Sequence, residues 1–190
     1  MKNVLKVCVI TACFSAIASA AAAQQIVHAL AGTVASVNAK IKMTEIDTDN
    51  GTSGHFEWLK KTGTEINFDK SVKADATDAE KFTTKGAHVI VYSIGDGDIR
   101  TIIAVHDLGS GPLEKTSGTV VKFSRKDHLL TIKTTAGAEA TFHVDPKTVA
   151  DTTTGVMEDF KFDFSKGDPV RVTYAASNGG ETALLIAPMM

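Results

Sequence analysis

The chain has 190 residues, 43% hydrophobic and 22% charged, with 20 Lys and Arg against 22 Asp and Glu and a formal net charge of −2. That length suits one medium domain or two small ones. A slightly acidic balance with no basic cluster excludes nucleic acid as the expected partner, since phosphate binding needs grouped Lys and Arg to release counterions.

Lys2 and Lys6 precede an apolar run from Val7 to Ile17, and small residues follow from Ala18 to Ala23. A cationic start, a short apolar centre and small residues at the exit form a secretory signal peptide. The run falls short of the roughly 18 residues that span a bilayer, and no later apolar segment is long enough, so no membrane span is expected. Ile10-Thr11-Ala12-Cys13 loosely resembles a lipoprotein box, but apolar sequence continues past the cysteine. Residues 1–23 are therefore expected to be cleaved, placing the mature chain in the periplasm or outside the cell. Cleavage removes Cys8 and Cys13, the chain's two cysteines, and takes the formal charge to −4. The mature chain then has no disulfide, thiol nucleophile or thiolate metal site.

What remains is written twice. Gly32-Thr33-Val34 recurs 86 residues later as Gly118-Thr119-Val120, and the same offset carries Ile46 onto Ile132, Gly51 onto Gly137 and Phe56 onto Phe142. Further on the offset becomes 81: Lys85-Gly86-x-x-Val89 matches Lys166-Gly167-x-x-Val170, and Val91 matches Val172. Two ungapped blocks that preserve glycines and apolar positions indicate a duplication.

The first copy reads as strands over Gly32–Val37, Lys40–Asp47, His55–Lys60, His88–Ile94 and Arg100–His106, with turns at Asp49-Asn50-Gly51 and Gly95-Asp96-Gly97. The second reads as Gly118–Phe123, Leu129–Thr134, Glu139–Val144, Pro169–Tyr174 and Glu181–Ile186, with turns at Ala136-Gly137 and Asn178-Gly179-Gly180. Short β-branched runs between Asn, Asp and Gly turns are hairpin signals. Between third and fourth strands the first copy carries Ser71–Glu80, a candidate short helix with Ala74 and Ala79 inward. The second carries Thr152-Thr153-Thr154-Gly155, poor helix sequence in an irregular stretch.

Three strands, an insert and two strands is the order of an OB-type five-stranded barrel; an SH3-like barrel and a β-sandwich share the pattern. The expected fold is all-β: residues 24–108 form one OB-like barrel, 109–113 a linker and 114–190 a second. Leucines flanking the linker, Leu108 and Leu113, suggest that the modules touch.

The repeated Gly-Thr-Val, the alternating strand, Gly, Phe and Lys-Gly-x-x-Val resemble a set of uncharacterised bacterial exported proteins with tandem OB-like small barrels. That resemblance implies a fold and a compartment and supplies no catalytic residues.

The six histidines, His28, His55, His88, His106, His128 and His143, form no H-E-x-x-H motif and read as strand-edge or solvent-facing side chains. Met43, His55 and Trp58 resemble the ligand set of periplasmic copper chaperones with an OB fold, which bind Cu(I) through His and Met beside a Trp; thioether ligands suit that ion. The paired methionines that follow the tryptophan in that family are absent, since Leu59-Lys60-Lys61 stands there. His55 and Trp58, three apart on one strand, fall on opposite faces. Met43 and His55 are the metal-ligand candidates, and no metal or cofactor is expected. Asp47–Gly51 has its glycine one place too early for a calcium loop and reads as a hairpin turn.

No nucleophile elbow, phosphate loop or dinucleotide fingerprint is present. The expected function is a non-catalytic exported binding or structural module for an unknown protein or glycan partner. Copper handling is one alternative, and a hydrolytic enzyme whose site assembles only in space is the other. The copies differ most at Asp69–Lys81 and Asp151–Asp163, so partner choice is expected there.

Overall fold

The structure is a computed structural model, and it describes residues 25–51, 53–59, 66–95, 99–177 and 179–189. The expected signal peptide with its cysteines, the turn residues 96–98 and Asn178 lie outside the described residues.

A short β1 (Gln25–Ile26) leads into β2 (His28–Asn38), β3 (Met43–Thr48) and β4 (Ser53–Trp58). An insert of β5 (Ile66–Asn67), α1 (Lys70–Asp75), β6 (Thr77–Asp78) and a 3-10 turn precedes β7 (His88–Ile94) and β8 (Ile99–Gly109). The second copy runs β9 (Glu114–Ser124), β10 (Leu129–Thr134), β11 (Glu139–His143), β12 (Val149–Thr152), β13 (Gly155–Met157), β14 (Pro169–Ser177) and β15 (Gly180–Pro188). The first barrel has the order β4-β3-β2-β7-β8 and closes through parallel β4 and β8; the second has β11-β10-β9-β14-β15 and closes through parallel β11 and β15. This is the OB strand order, and it decides against the SH3-like barrel and the sandwich.

Both repeated motifs serve one corner. β2 pairs with β7 through His28–Thr33 and with β3 through Gly32–Asn38, so Gly32 has a neighbour on each side, Val89 and Thr48. Gly118 is placed identically between Val170 and Thr134. A Cβ on Gly32 would lie 2.5 Å from the Asp47 carbonyl oxygen, and one on Gly118 2.2 Å from that of Lys133. Only glycine lets the strand bend that closely over its neighbour. The Gly86 N–H then donates to the Val34 carbonyl at 2.9 Å and the Val34 N–H to the Ala87 carbonyl at 3.0 Å. Gly167, Val120 and Asp168 repeat this reciprocal pair in the second barrel. The Lys-Gly glycines sit at positive φ, +82° and +103°, a region other residues enter only with strain.

Alternation fills each interior. Val34, Ile46, Phe56, Trp58, Val89 and Val91 form the first core, and Val120, Ile132, Phe142, Val144, Val170 and Val172 occupy the matching places in the second. Trp58 is buried as its alignment with Val144 requires, and its indole N–H donates to Thr44 Oγ1 at 2.8 Å.

A third apolar cluster joins the barrels. From the outer face of the first come Val27, Ala29, Ala31, Ile90, Tyr92, Ile94 and Ala104, with Val72 of α1; the second supplies Val149, Val156 and Leu185. At the places equivalent to Ala29, Ala31, Ile90 and Tyr92 the second barrel carries Lys115, Ser117, Arg171 and Thr173. The seam is therefore unequal in composition, although Leu185, the counterpart of Ala104, and Thr173, the counterpart of Tyr92, also face it, Thr173 donating to Asp49 across the barrels. The barrels touch, as the linker leucines suggest, but only Leu108 reaches the seam, as a partly buried side chain at its edge.

Two expectations about the inserts are corrected. The helix ends at Asp75, and its buried residue is Val72, not Ala74, which is exposed; Ala79 is buried, but in the 3-10 turn. The second insert is ordered by the β12–β13 hairpin, with Thr152 opposite Gly155. Gly155 at φ +114° makes that turn possible, and the Val156 N–H donates to the Val27 carbonyl across the seam at 3.1 Å. The inserts also hold each other: Lys161 Nζ lies 3.1 Å from Asp69 Oδ2 and 2.8 Å from Ser71 Oγ.

Two outcomes test this architecture. Gly32→Ala destabilises the first barrel by about 3 kcal/mol or more, whereas Gly111→Ala, where a Cβ meets open space, changes stability by under ~0.5 kcal/mol. Denaturant melts followed by fluorescence of Trp58, the single tryptophan, measure both. Glu158 concerns the seam. It is 2% exposed with Oε1 unpartnered, and burial together with Asp75, Asp159 and Asp69 raises its pKa from 4.5 to about 7 against Lys147. A raised folded pKa favours the native state below 4.5 and disfavours it as pH rises through 7. Glu158→Gln is therefore near-neutral at pH 4 and stabilising, on the order of 1 kcal/mol after solvent screening, at pH 8.

Candidate functional site: the cleft between the barrels

A cleft of about 250 Å³ opens along one side of the seam. His28 begins β2, Ser93 faces it on β7, and Arg100 stands near the start of β8. Asp151, Thr152 and Thr153 come from the β12–β13 hairpin and Pro188 from the end of β15; Leu30 and Gly95 complete the lining. A second cavity of about 310 Å³ shares Asp151, Thr152, Thr153 and Pro188 and extends toward Phe164 and Asp168. Neither barrel alone contains this site.

His28 Nδ1 lies 3.0 Å from Asp151 Oδ1, joining residues 123 apart in sequence. The Asp151 carboxylate is 5% exposed. Burial pushes its pKa up, against the opposing pull of His28, the Ala29 backbone N–H and Arg100. A buried carboxylate needs such partners, because an unpaired one is strongly destabilising. The His28 side chain, in contrast, stays 41% exposed. Arg100 has no side-chain hydrogen bond or ion pair among the described residues. Among the described residues the cleft thus offers two basic side chains and one acid, already engaged by His28.

Ser93, His28 and Asp151 are also the residue types of a hydrolytic triad, and the Asp–His bond uses the nitrogen that a triad uses. The second bond is not made: among the described residues no hydrogen bond joins Ser93 to His28, and Ser93 is 2% exposed.

The sequence candidates lie elsewhere. Met43 and His55 both lie on the outer face of the β3–β4 hairpin, where Met43 stands opposite Glu57 and His55 opposite Glu45. Trp58 is on the inner face with its N–H spent on Thr44, away from Met43 and His55, which share the outer face. Among the described residues no group of three or more His, Cys, Asp or Glu is arranged to hold a metal ion.

No family model and no curated protein matches the chain. Among solved structures, the crystal structure of Ag(I)CusF is similar to part of it, covering 41% of this chain and 99% of that one at 14% identity and a TM-score of 0.33.

Of the cleft residues, sequence reasoning counted His28 as a strand-edge histidine and named Asp151 only as the start of a variable insert. One signal was available. His88–Ile94 lacks the in–out alternation of its counterpart Pro169–Tyr174, and a strand apolar on both faces is buried on both. That marks the outer face of the first barrel as covered, though not by what.

His28→Ala leaves Asp151 buried without its ion partner. The expected loss is about 1–3 kcal/mol at pH 7. Because Asp151 already titrates above its ordinary value, the loss shrinks as the pH falls and the carboxyl is protonated. Thermal melts of both proteins at pH 7 and pH 4 measure it.

Proposed function

We propose that this chain is a non-catalytic exported binding module and that its ligand sits in the cleft between the two barrels. The observation that carries this reading is the concave site at the seam, mostly apolar with a few convergent polar groups, which is the usual make-up of a small-molecule pocket. The tandem arrangement supports it, because two barrels fixed by a shared apolar cluster hold the cleft open without the ligand. Export rests on the leader sequence of residues 1–23. The inserts belong to the reading as well: the second supplies Asp151, Thr152 and Thr153, while the first braces it through Asp69 and Ser71.

Thr153, exposed at the tip of the β12–β13 hairpin, gives a clean test, since Thr153→Trp fills the cleft without touching a core. Thermal melts are run with a panel of small organic acids, amines, monosaccharides and disaccharides. At least one compound is expected to raise Tm saturably in the wild type, with the effect lost in Thr153→Trp. A panel without a saturable stabiliser, or one whose effect survives the substitution, overturns the cleft as ligand seat. Turnover of p-nitrophenyl acetate that disappears in Ser93→Ala overturns the non-catalytic part and makes the cleft a hydrolytic site.

A further inference from the structure

We infer that the cleft selects a small organic anion, a monocarboxylate with a short apolar body, held by Arg100 and His28. This rests on the cleft being the ligand seat and goes beyond it by fixing the charge of the ligand.

Among the described residues the one acid lining this cavity is Asp151, and its carboxylate is buried against His28 and the Ala29 N–H. Arg100 lines the same cavity and acts on Asp151 through space, but its side chain makes no hydrogen bond or ion pair among the described residues, whereas guanidinium groups near low-dielectric walls are normally paired with carboxylate or phosphate in a fixed fork. His28 is anchored through Nδ1, which leaves its other ring nitrogen uncommitted and its side chain partly open to the cleft. The rest of the lining is Leu30, Pro188, Gly95 and the hydroxyl residues Ser93, Thr152 and Thr153, and its exposed area is mainly apolar, which suits an alkyl or small ring body. A carboxylate at the Arg100 end makes the direct contact that Asp151 does not, and the apolar body displaces water. The cleft, about 250 Å³, is large enough for a six-carbon acid.

The pair His28–Asp151 acts here as a positioning element. Asp151 fixes the ring orientation from the second barrel, so an anion contacts groups whose geometry depends on both barrels.

The probes are hexanoate, hexanol and hexylamine, titrated into the full mature chain and followed by amide chemical-shift changes. Hexanoate is expected to bind saturably, with changes centred on residues 28, 100 and 151–153, and hexanol and hexylamine at least tenfold more weakly. Arg100→Gln is expected to weaken hexanoate about tenfold or more and leave hexanol unchanged, while Arg100→Lys retains part of the affinity. A Trp58 fluorescence melt matching the wild type confirms that the Arg100 variants are folded, and wild-type-like amide dispersion does so for Thr153→Trp. Hexanol or hexylamine binding as tightly as hexanoate, or hexanoate unaffected by Arg100→Gln, overturns the anion assignment. If those shifts still map to the cleft and vanish in Thr153→Trp, the cleft reading survives that failure. No hexanoate binding at millimolar concentration overturns the anion assignment. Changes that map elsewhere, or persist in Thr153→Trp, overturn it and the cleft reading together.

Discussion

A strand that must pair on one edge with its successor and on the other with a strand much later in sequence has to bend where the two pairings overlap. In this chain the overlap falls at Gly32 and Gly118, where a side chain would run into the backbone of the neighbouring strand. The missing Cβ lets the strand turn the corner, and the reciprocal bonds between the following valine and the Lys-Gly turn hold the fourth strand against it. With that corner made, the fifth strand can reach the third in parallel and the sheet closes, leaving few free edges. Phe56 and Phe142 then lie fully buried at matching places in the two interiors.

Closure fixes the inside of each barrel and leaves the outside free to diverge. The first copy placed Ala29, Ala31, Ile90 and Tyr92 on its outer face and the second kept charged and hydroxyl side chains there. An exposed apolar face of that extent has to be covered, and the second barrel covers it with β15 and its β12–β13 hairpin. The seam also gathers the polar groups that burial disfavours. Tyr92 Oη, His106 Nδ1 and Glu158 Oε1 are buried without hydrogen-bond partners among the described residues, and burial shifts the titration of each toward its neutral form. A fully optimised apolar interface would have none of these, so the place where the barrels meet is not built for stability alone.

The cleft lies at the margin of the seam. The β12–β13 hairpin of the second barrel packs against the start of β2, and His28 and Asp151 meet across the gap. Each half of the ion pair comes from a different barrel, so the geometry of the binding groups depends on the seam being closed. Any motion that opens the seam also removes the partner of a buried carboxylate, so a ligand seated as proposed would stabilise the whole tandem unit.

The duplication, the all-β class, the ten barrel strands and the inward placement of Phe56, Phe142 and Trp58 were legible in the sequence, because glycine spacing and two-residue alternation are local signals. The OB closure was not, since pattern alone does not state which strand pairs with which. The inserts misled in detail: Thr152–Gly155 is poor helix sequence, and what it forms instead, a hairpin, is stabilised by a bond to the other barrel. The cleft was the least legible part. Residues 28, 93, 100 and 151 are far apart in the chain and unremarkable in type, and they acquire a shared chemistry only when the outer face of one barrel packs on the insert of the other. Short-range repetition therefore determined the barrels, while burial of an apolar outer face, a property of the tertiary structure, decided how they join and where a ligand can sit.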